Sequence, residues 1–189
     1  MARWVMLFGV VVAVLTGCAA QPAPAPLRIG ASSDPQMQMV AALYRGALRV
    51  QRIAVEEPIR IANDRAQLDA MGGDEVDLFP TTVPLLLAVV LPAGRPGASG
   101  AEATEFGDAD YTLVSRSLPT GVAVGDPVAG QQLVPVYRAT RFERDDVKAL
   151  NKVAGELTMP DLAALTAQWQ AGKDQTVLVG DWLSQHGLA

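Results

Sequence analysis

The feature that most constrains the fold is an alternation, without internal repeat, in which short apolar runs that stop at glycine or proline are interleaved with helical patterns. Leu27-Arg28-Ile29-Gly30 reads as a short strand, and Ala31-Ser32-Ser33 as the loop after it. Asp34 is placed to cap a helix, with Pro35 at its first position. Met37, Val40, Ala41, Tyr44 and Leu48 then recur at helical spacing, so one face packs inward. Residues 59–62 form the next short strand, and Asn63 or Asp64 opens a helix through Met71 that Gly72-Gly73 closes. Val76-Asp77-Leu78-Phe79 is a third strand, with Pro80 expected to stop it and Thr81 or Thr82 to cap the next helix. Residues 83–91 are apolar on every side, which predicts a short, fully buried helix. Strands alternating with helices in this way predict an α/β fold.

The second half continues the alternation. Residues 92–107 are rich in Gly, Pro and Ala and read as a loop. Asp108 is expected to cap a helix through Leu118, followed by a strand at 122–124, a turn-rich joint at 125–130 and a strand at 133–137. Three helices complete the chain. The first spans about 143–154, the second opens at a capping box from Thr158 to Asp161, and the third spans about 176–185, with Gly187 as its cap.

The first 17 residues carry Arg3 followed by an apolar core too short to span a bilayer comfortably, the pattern of an export signal. Leu15-Thr16-Gly17-Cys18 resembles a bacterial lipobox, which makes Cys18 the expected lipidation site. As the one cysteine, Cys18 cannot form an intrachain disulfide. Residues 18–26, alternating Pro and Ala at their end, read as an extended tether. The expected location is extracytoplasmic, held to the cell membrane by N-terminal lipid. The formal net charge is −5, and the three lysines (Lys148, Lys152, Lys173) form no basic cluster, which argues against nucleic acid as a partner.

Enzyme chemistry finds little support, and no metal or cofactor is expected. The one histidine, His186, lies at a helix end beside Gly187, a place where it satisfies terminal carbonyls. No phosphate-binding G-x-x-x-x-G-K-[ST] is present. The carboxylate pairs Glu56-Glu57, Asp74-Glu75 and Asp145-Asp146 fall in turns or first helical turns, where solvent and the helix dipole account for them. A binding protein needs less: a concave surface with a few placed polar groups. Ser32-Ser33-Asp34 and Thr81-Thr82 both follow a strand and open a helix, the position where α/β sheets bind ligands. As helix caps alone, these residues need no ligand.

Three stretches in order carry a resemblance. LRIGASSDPQMQMVAALYRGAL is similar to the opening of substrate-binding proteins of the quaternary-amine (glycine betaine, choline, carnitine) ABC transporters, with Leu43-Tyr44 as the Leu-Tyr pair of their first helix. GGDEVDLFPTTVPLLL resembles their Gly-x-x-Asp-Leu-Tyr-Pro segment, with Asp77, Leu78, Phe79 and Pro80 in register. The region from Val134-Pro135-Val136 through Asn151, Gly155, Leu157 and Thr158 resembles their C-terminal part.

The resemblance implies a type II periplasmic-binding-protein-like lobe. It also implies a departure, since members are bilobed and here only about residues 92–131 separate the two parts of the first lobe. The expectation is one lobe, built from 27–91 and 132–189, with most of the second lobe missing. The implied ligand is a small quaternary amine and the implied partner an ABC permease. A quaternary ammonium donates no N–H bond and is held by aromatic faces, each worth ~0.5–1 kcal/mol when exposed. Ser32, Asp34, Phe79, Thr81, Thr82, Tyr111 and Tyr137 are the candidate ligand residues, with Tyr44, Trp169 and Trp182 assigned to the core. Phe106 is a further aromatic available to a cage. With one lobe the cage stays open unless a second copy pairs with the first. The alternative expectation is a structural or interaction lipoprotein that has lost its ligand and meets a protein partner through Phe79, Val83 and residues 92–132.

Overall fold

The computed structural model describes residues 24–91, 107–127 and 132–189. Cys18, Phe106, the export segment and most of the tether lie outside the described residues. Strand β1 (Gly30–Ala31) pairs in parallel with β2 (Ile59–Arg60). Strand β3 (Leu78–Thr82) pairs antiparallel with β5 (Leu133–Arg138), which pairs antiparallel with β4 (Val122–Val124). A parallel bridge from Ile29 to Leu78 joins the two sheets, so the strands lie in the order β2-β1-β3-β5-β4.

Helices cover both faces. On one side are α1 (Pro35–Val50), α5 (Arg144–Glu156), α6 (Met159–Gln170) and α7 (Gln175–Gln185). On the other are α2 (Asp64–Gly72), α3 (Val83–Val90) and α4 (Asp108–Ser117). The strands feed two cores by alternation. Leu78 and Leu133 point to the first, and Phe79, Val134 and Val136 to the second. Among the described residues this is one α/β lobe.

Local signals account for most helix starts. Asp34 accepts a hydrogen bond from the Gln36 N–H at 2.9 Å, Asn63 accepts from Ala66 at 3.0 Å, and Thr158 accepts from Asp161 at 3.2 Å. Helix α1 is buried more widely than one stripe. Met39, Leu43 and Ala47 join Met37, Val40, Ala41, Tyr44 and Leu48 because α5, α6, α7 and β3 all pack around it. Asp108 is not a cap; Gly107 occupies that position and its N–H donates to Asp110 at 3.2 Å.

Two further expectations are corrected. Pro80 does not stop its strand but lies inside β3, opposite Pro135. Arg138 N–H donates to the Asp77 carbonyl and Val83 N–H to the Gln132 carbonyl, so bonded pairs alternate and Pro80–Pro135 falls on a non-bonded one. Neither proline then withholds a bond from that ladder. Pro135 does end the other ladder: Gly125 N–H donates to its carbonyl at 2.8 Å, but Pro135 has no N–H to return. Helix α3 is also not fully buried. Val83, Leu86 and Leu87 face the core while Leu85 is 51% exposed, because α2, β3 and α4 leave one side of it uncovered.

Gly125 is held by space rather than by backbone conformation. A Cβ there would lie 2.6 and 2.8 Å from Pro135 Cγ and Cδ and against Asn151 Oδ1. The proline ring cannot rotate away. Gly125→Ala is expected to cost about 1–3 kcal/mol in chemical denaturation; an unchanged midpoint would show that β4 and β5 separate freely at this end.

Candidate functional site

Because β1 is parallel to β3, and β3 and β4 are both antiparallel to β5, the carboxyl ends of β1, β3 and β4 share one edge of the sheet. That edge collects Ser32, Thr82 and Asp126 from three separate segments. It is where open α/β sheets place ligands.

At the β1 end the polar groups are occupied locally. Ser32 Oγ accepts from the Asp34 N–H at 3.4 Å, and the Asp34 carboxylate is the α1 cap. Gln38 Nε2 donates to the carbonyls of Ser32 and Ser33 at 3.4 and 3.0 Å, and Arg60 donates to Gln38 Oε1 at 3.1 Å. These bonds stiffen the loop and leave Asp34 exposed at the rim.

At the β3 end Thr81 is buried and does not cap α3. Its hydroxyl donates to the Asp64 carboxylate, which also accepts from Gln67 Nε2 at 3.0 Å. Thr82 stands at the cap position of α3 without a capping bond. Burial raises the Asp64 pKa, against the opposing effect of the Thr81 and Gln67 hydrogen bonds. A raised folded-state value means that the native state binds a proton the unfolded chain has released. The stability from this group is therefore full below about pH 4 and falls as pH rises through the raised value. Asp64→Asn is expected to remove that fall. The check is the wild-type minus variant stability followed by urea denaturation from pH 4 upward; a flat difference would refute it.

The sequence marks the third part of the edge only as a turn. Asp126, just past β4, accepts from Tyr111 of α4 at 3.4 Å and from Asn151 Nδ2 of α5 at 3.2 Å. It thus ties the helical layers on opposite faces of the sheet. Tyr111 OH also lies 3.5 Å from the Val124 carbonyl. Burial, then the Asp126 charge, pushes the Tyr111 hydroxyl up to about 12, and the same two causes raise Tyr137. Both phenols stay protonated at ordinary pH, Tyr111 packed against the second core and Tyr137 against the first. Tyr137 meets Phe142 edge to face, with centroids 5.5 Å apart. A cavity of about 360 Å³ runs along this side, lined by Asp126, Tyr137, Phe142 and Asn151 among others.

The candidate residues therefore divide. Tyr111 and Tyr137 come together on Asp126; Ser32, Asp34 and Thr82 lie along the same edge. Phe79 has no exposed surface and sits in the core with Leu86, Val114 and Val136. Tyr44 and Trp182 are core residues, and Trp169 packs half-buried against that core. His186 stacks on Trp182 with centroids 4.2 Å apart. Among the described residues no cluster of three or more His, Cys, Asp or Glu is arranged to hold a metal, and no helix is long and apolar enough to cross a membrane.

No protein-family model matches the chain, and no curated protein matches it. Solved structures do. The fold is similar to that of apo YehZ from Escherichia coli, at a TM-score of 0.71 and 10% identity over 88% of this chain and 100% of that one. It is also similar to a glycine betaine/carnitine/choline ABC transporter structure, at a TM-score of 0.66 and 8% identity over 86% of this chain and 99% of that one. At such identities the likeness is one of fold.

Proposed function

We propose that this chain is an extracytoplasmic solute-binding lipoprotein of a glycine betaine/choline-type ABC transporter, working with about one lobe. The reading is supported by the fold likeness over 86% of the chain to a structure of that transporter class. The observation that carries it to a site is the Asp126 carboxylate, bonded by the Tyr111 hydroxyl and lining one cavity with the Tyr137 and Phe142 rings at the carboxyl edge of the sheet. A permanent cation with no N–H to donate is held by charge and by ring faces, and this edge presents both. Ser32, Asp34 and Thr82 line the rest of the rim, Thr81 supports it through Asp64, and Phe79 holds β3 in place from the core.

The energetics favour weak binding. Two ring faces at ~0.5–1 kcal/mol each, with one exposed carboxylate, fall short of the roughly 4 kcal/mol of a millimolar complex unless water is excluded. A second copy closing over the edge would supply that exclusion. Cys18 carries the lipid in this reading, and mass spectrometry of the membrane-extracted protein tests it directly.

Calorimetric titration with glycine betaine and choline is the test of the site. Saturable heat in the millimolar range, lost in Asp126→Asn, is expected. A folded, dimeric protein that gives no heat with either solute would remove the proposal. The alternative, an interaction lipoprotein using Phe79, Val83 and residues 92–132, loses its first two contacts because both side chains are buried, with Leu85 the exposed large apolar residue of α3; residues 92–106 and 128–131 lie outside the described residues.

A further inference from the structure

A buried acid lies next to the rim of the sheet edge. Asp64, the first residue of α2, is 8% exposed, and the two residues that bond it, Gln67 and Thr81, have no exposed surface. Gln67 Nε2 donates to Asp64 Oδ1 at 3.0 Å. Gln67 Oε1 is pressed against Gly30, where a Cβ would lie 3.0 Å from it, so the amide has no room to swing aside. Asp64 Oδ2 is left to Thr81.

At Thr81 the contacts outnumber the protons. Its Oγ1 meets two acceptors, Asp64 Oδ2 and the Thr82 carbonyl, the second at 3.4 Å. A threonine hydroxyl has one proton to donate and can also accept. With Asp64 ionised, that proton goes to the carboxylate and the Thr82 carbonyl receives none. With Asp64 protonated, the acid donates to Thr81 Oγ1, and the hydroxyl proton is free for the Thr82 carbonyl. No charge competes for control of the pair. β1, β3 and α3, the elements around it, carry no charged residue. On α2 itself Arg65 is turned to the Val89 carbonyl at 2.8 Å, and Asp69 is exposed. Burial disfavours the ionised form with no cation to oppose it.

We infer that Asp64 and Thr81 form a proton-controlled latch on the start of α3, in which ionisation of Asp64 turns the Thr81 hydroxyl from the Thr82 carbonyl to the carboxylate. Thr82 stands at the cap position of α3 with no side-chain capping bond, so the Thr81 hydroxyl is the side-chain group that holds this turn. Thr82 also lies on the rim, which makes the rim sensitive to pH. That this sensitivity acts on a solute rests on the function proposed above; the latch itself is read without solute.

The test is a pH titration of the ¹³C,¹⁵N-labelled protein by NMR, with no solute present. The Asp64 carboxyl carbon is expected to titrate with a midpoint above the ordinary value of about 4, and the Thr82 carbonyl carbon to shift with the same midpoint. Asp64→Asn places an N–H where the acid has its O–H, and is expected to hold the Thr82 carbonyl near its low-pH position throughout. Thr81→Ser is expected to keep the coupling. Thr81→Val is expected to abolish the Thr82 response while Asp64 still titrates. A Thr82 carbonyl that does not follow Asp64, or that follows it equally in Thr81→Val, would overturn the latch. An Asp64 midpoint at or below about 4 would overturn it too, by showing that the α2 N-terminus and the hydrogen bonds hold the carboxylate ionised. Failure of the calorimetric solute titration leaves this result untouched, so the two proposals stand or fall separately.

Discussion

Asp77→Ala is expected to destabilise the protein by about 3–5 kcal/mol, the range for breaking a buried ion pair from one side. The Asp77 side chain is 1% exposed and lies among three arginines: Arg141 Nε at 3.2 Å, Arg28 Nε at 3.7 Å and Arg138 at 3.8 Å. It also accepts from the Arg28 backbone N–H at 2.9 Å. Removing the carboxylate leaves that amide unpaired and takes the shared counter-charge from Arg28 and Arg141, while Arg138 keeps its pair with Asp74. Arg141 further donates to the Ala25 and Pro26 carbonyls, at 2.9 and 3.4 Å, so the strap entering β1 loosens with it. The thermal midpoint should fall by on the order of 10 °C. Asp77→Asn keeps the acceptor for the amide and should recover part of the loss. A cost below about 1 kcal/mol for the alanine variant would mean that solvent screens the arginines without help.

Phe79→Ala should cost a similar amount, about 3–5 kcal/mol, by leaving a cavity in the second core. The ring has no exposed surface and is enclosed by residues from α3, α4 and β5. Its loss should therefore appear as lost stability, with solute affinity per folded molecule unchanged. Calorimetry under conditions where the variant is folded separates the two. Affinity that falls while stability holds would return Phe79 to the ligand site and displace it from the core.

The sequence makes some of these features readable and hides others, for reasons that differ residue by residue. The caps at Asp34, Asn63 and Thr158 are legible because each bonds an amide two or three residues away. The alternation Leu78, Phe79 is legible too, but alternation does not tell whether both faces of a strand are covered. Phe79 reads as a cage residue for that reason. Pro80 reads as a stop because its tolerance depends on which position of the ladder it meets, and that is fixed by residue 135. Tyr111 and Tyr137 can be picked out as aromatics outside the helical stripes. The carboxylate they meet lies in a Gly-Asp-Pro turn that carries no local mark of a site. The arginines around Asp77 come from positions 28, 138 and 141, and nothing near any one of them points to the others.

Order along the chain, the α/β alternation and the starts of the helices follow from contacts within a few residues, so residue type and spacing determined them alone. The two-sided sheet, the buried carboxylate among its arginines and the edge gathered around Asp126 were decided by tertiary structure. Each depends on segments far apart in the chain meeting, and their burial and charge pairing exist only once the sheet has brought them together.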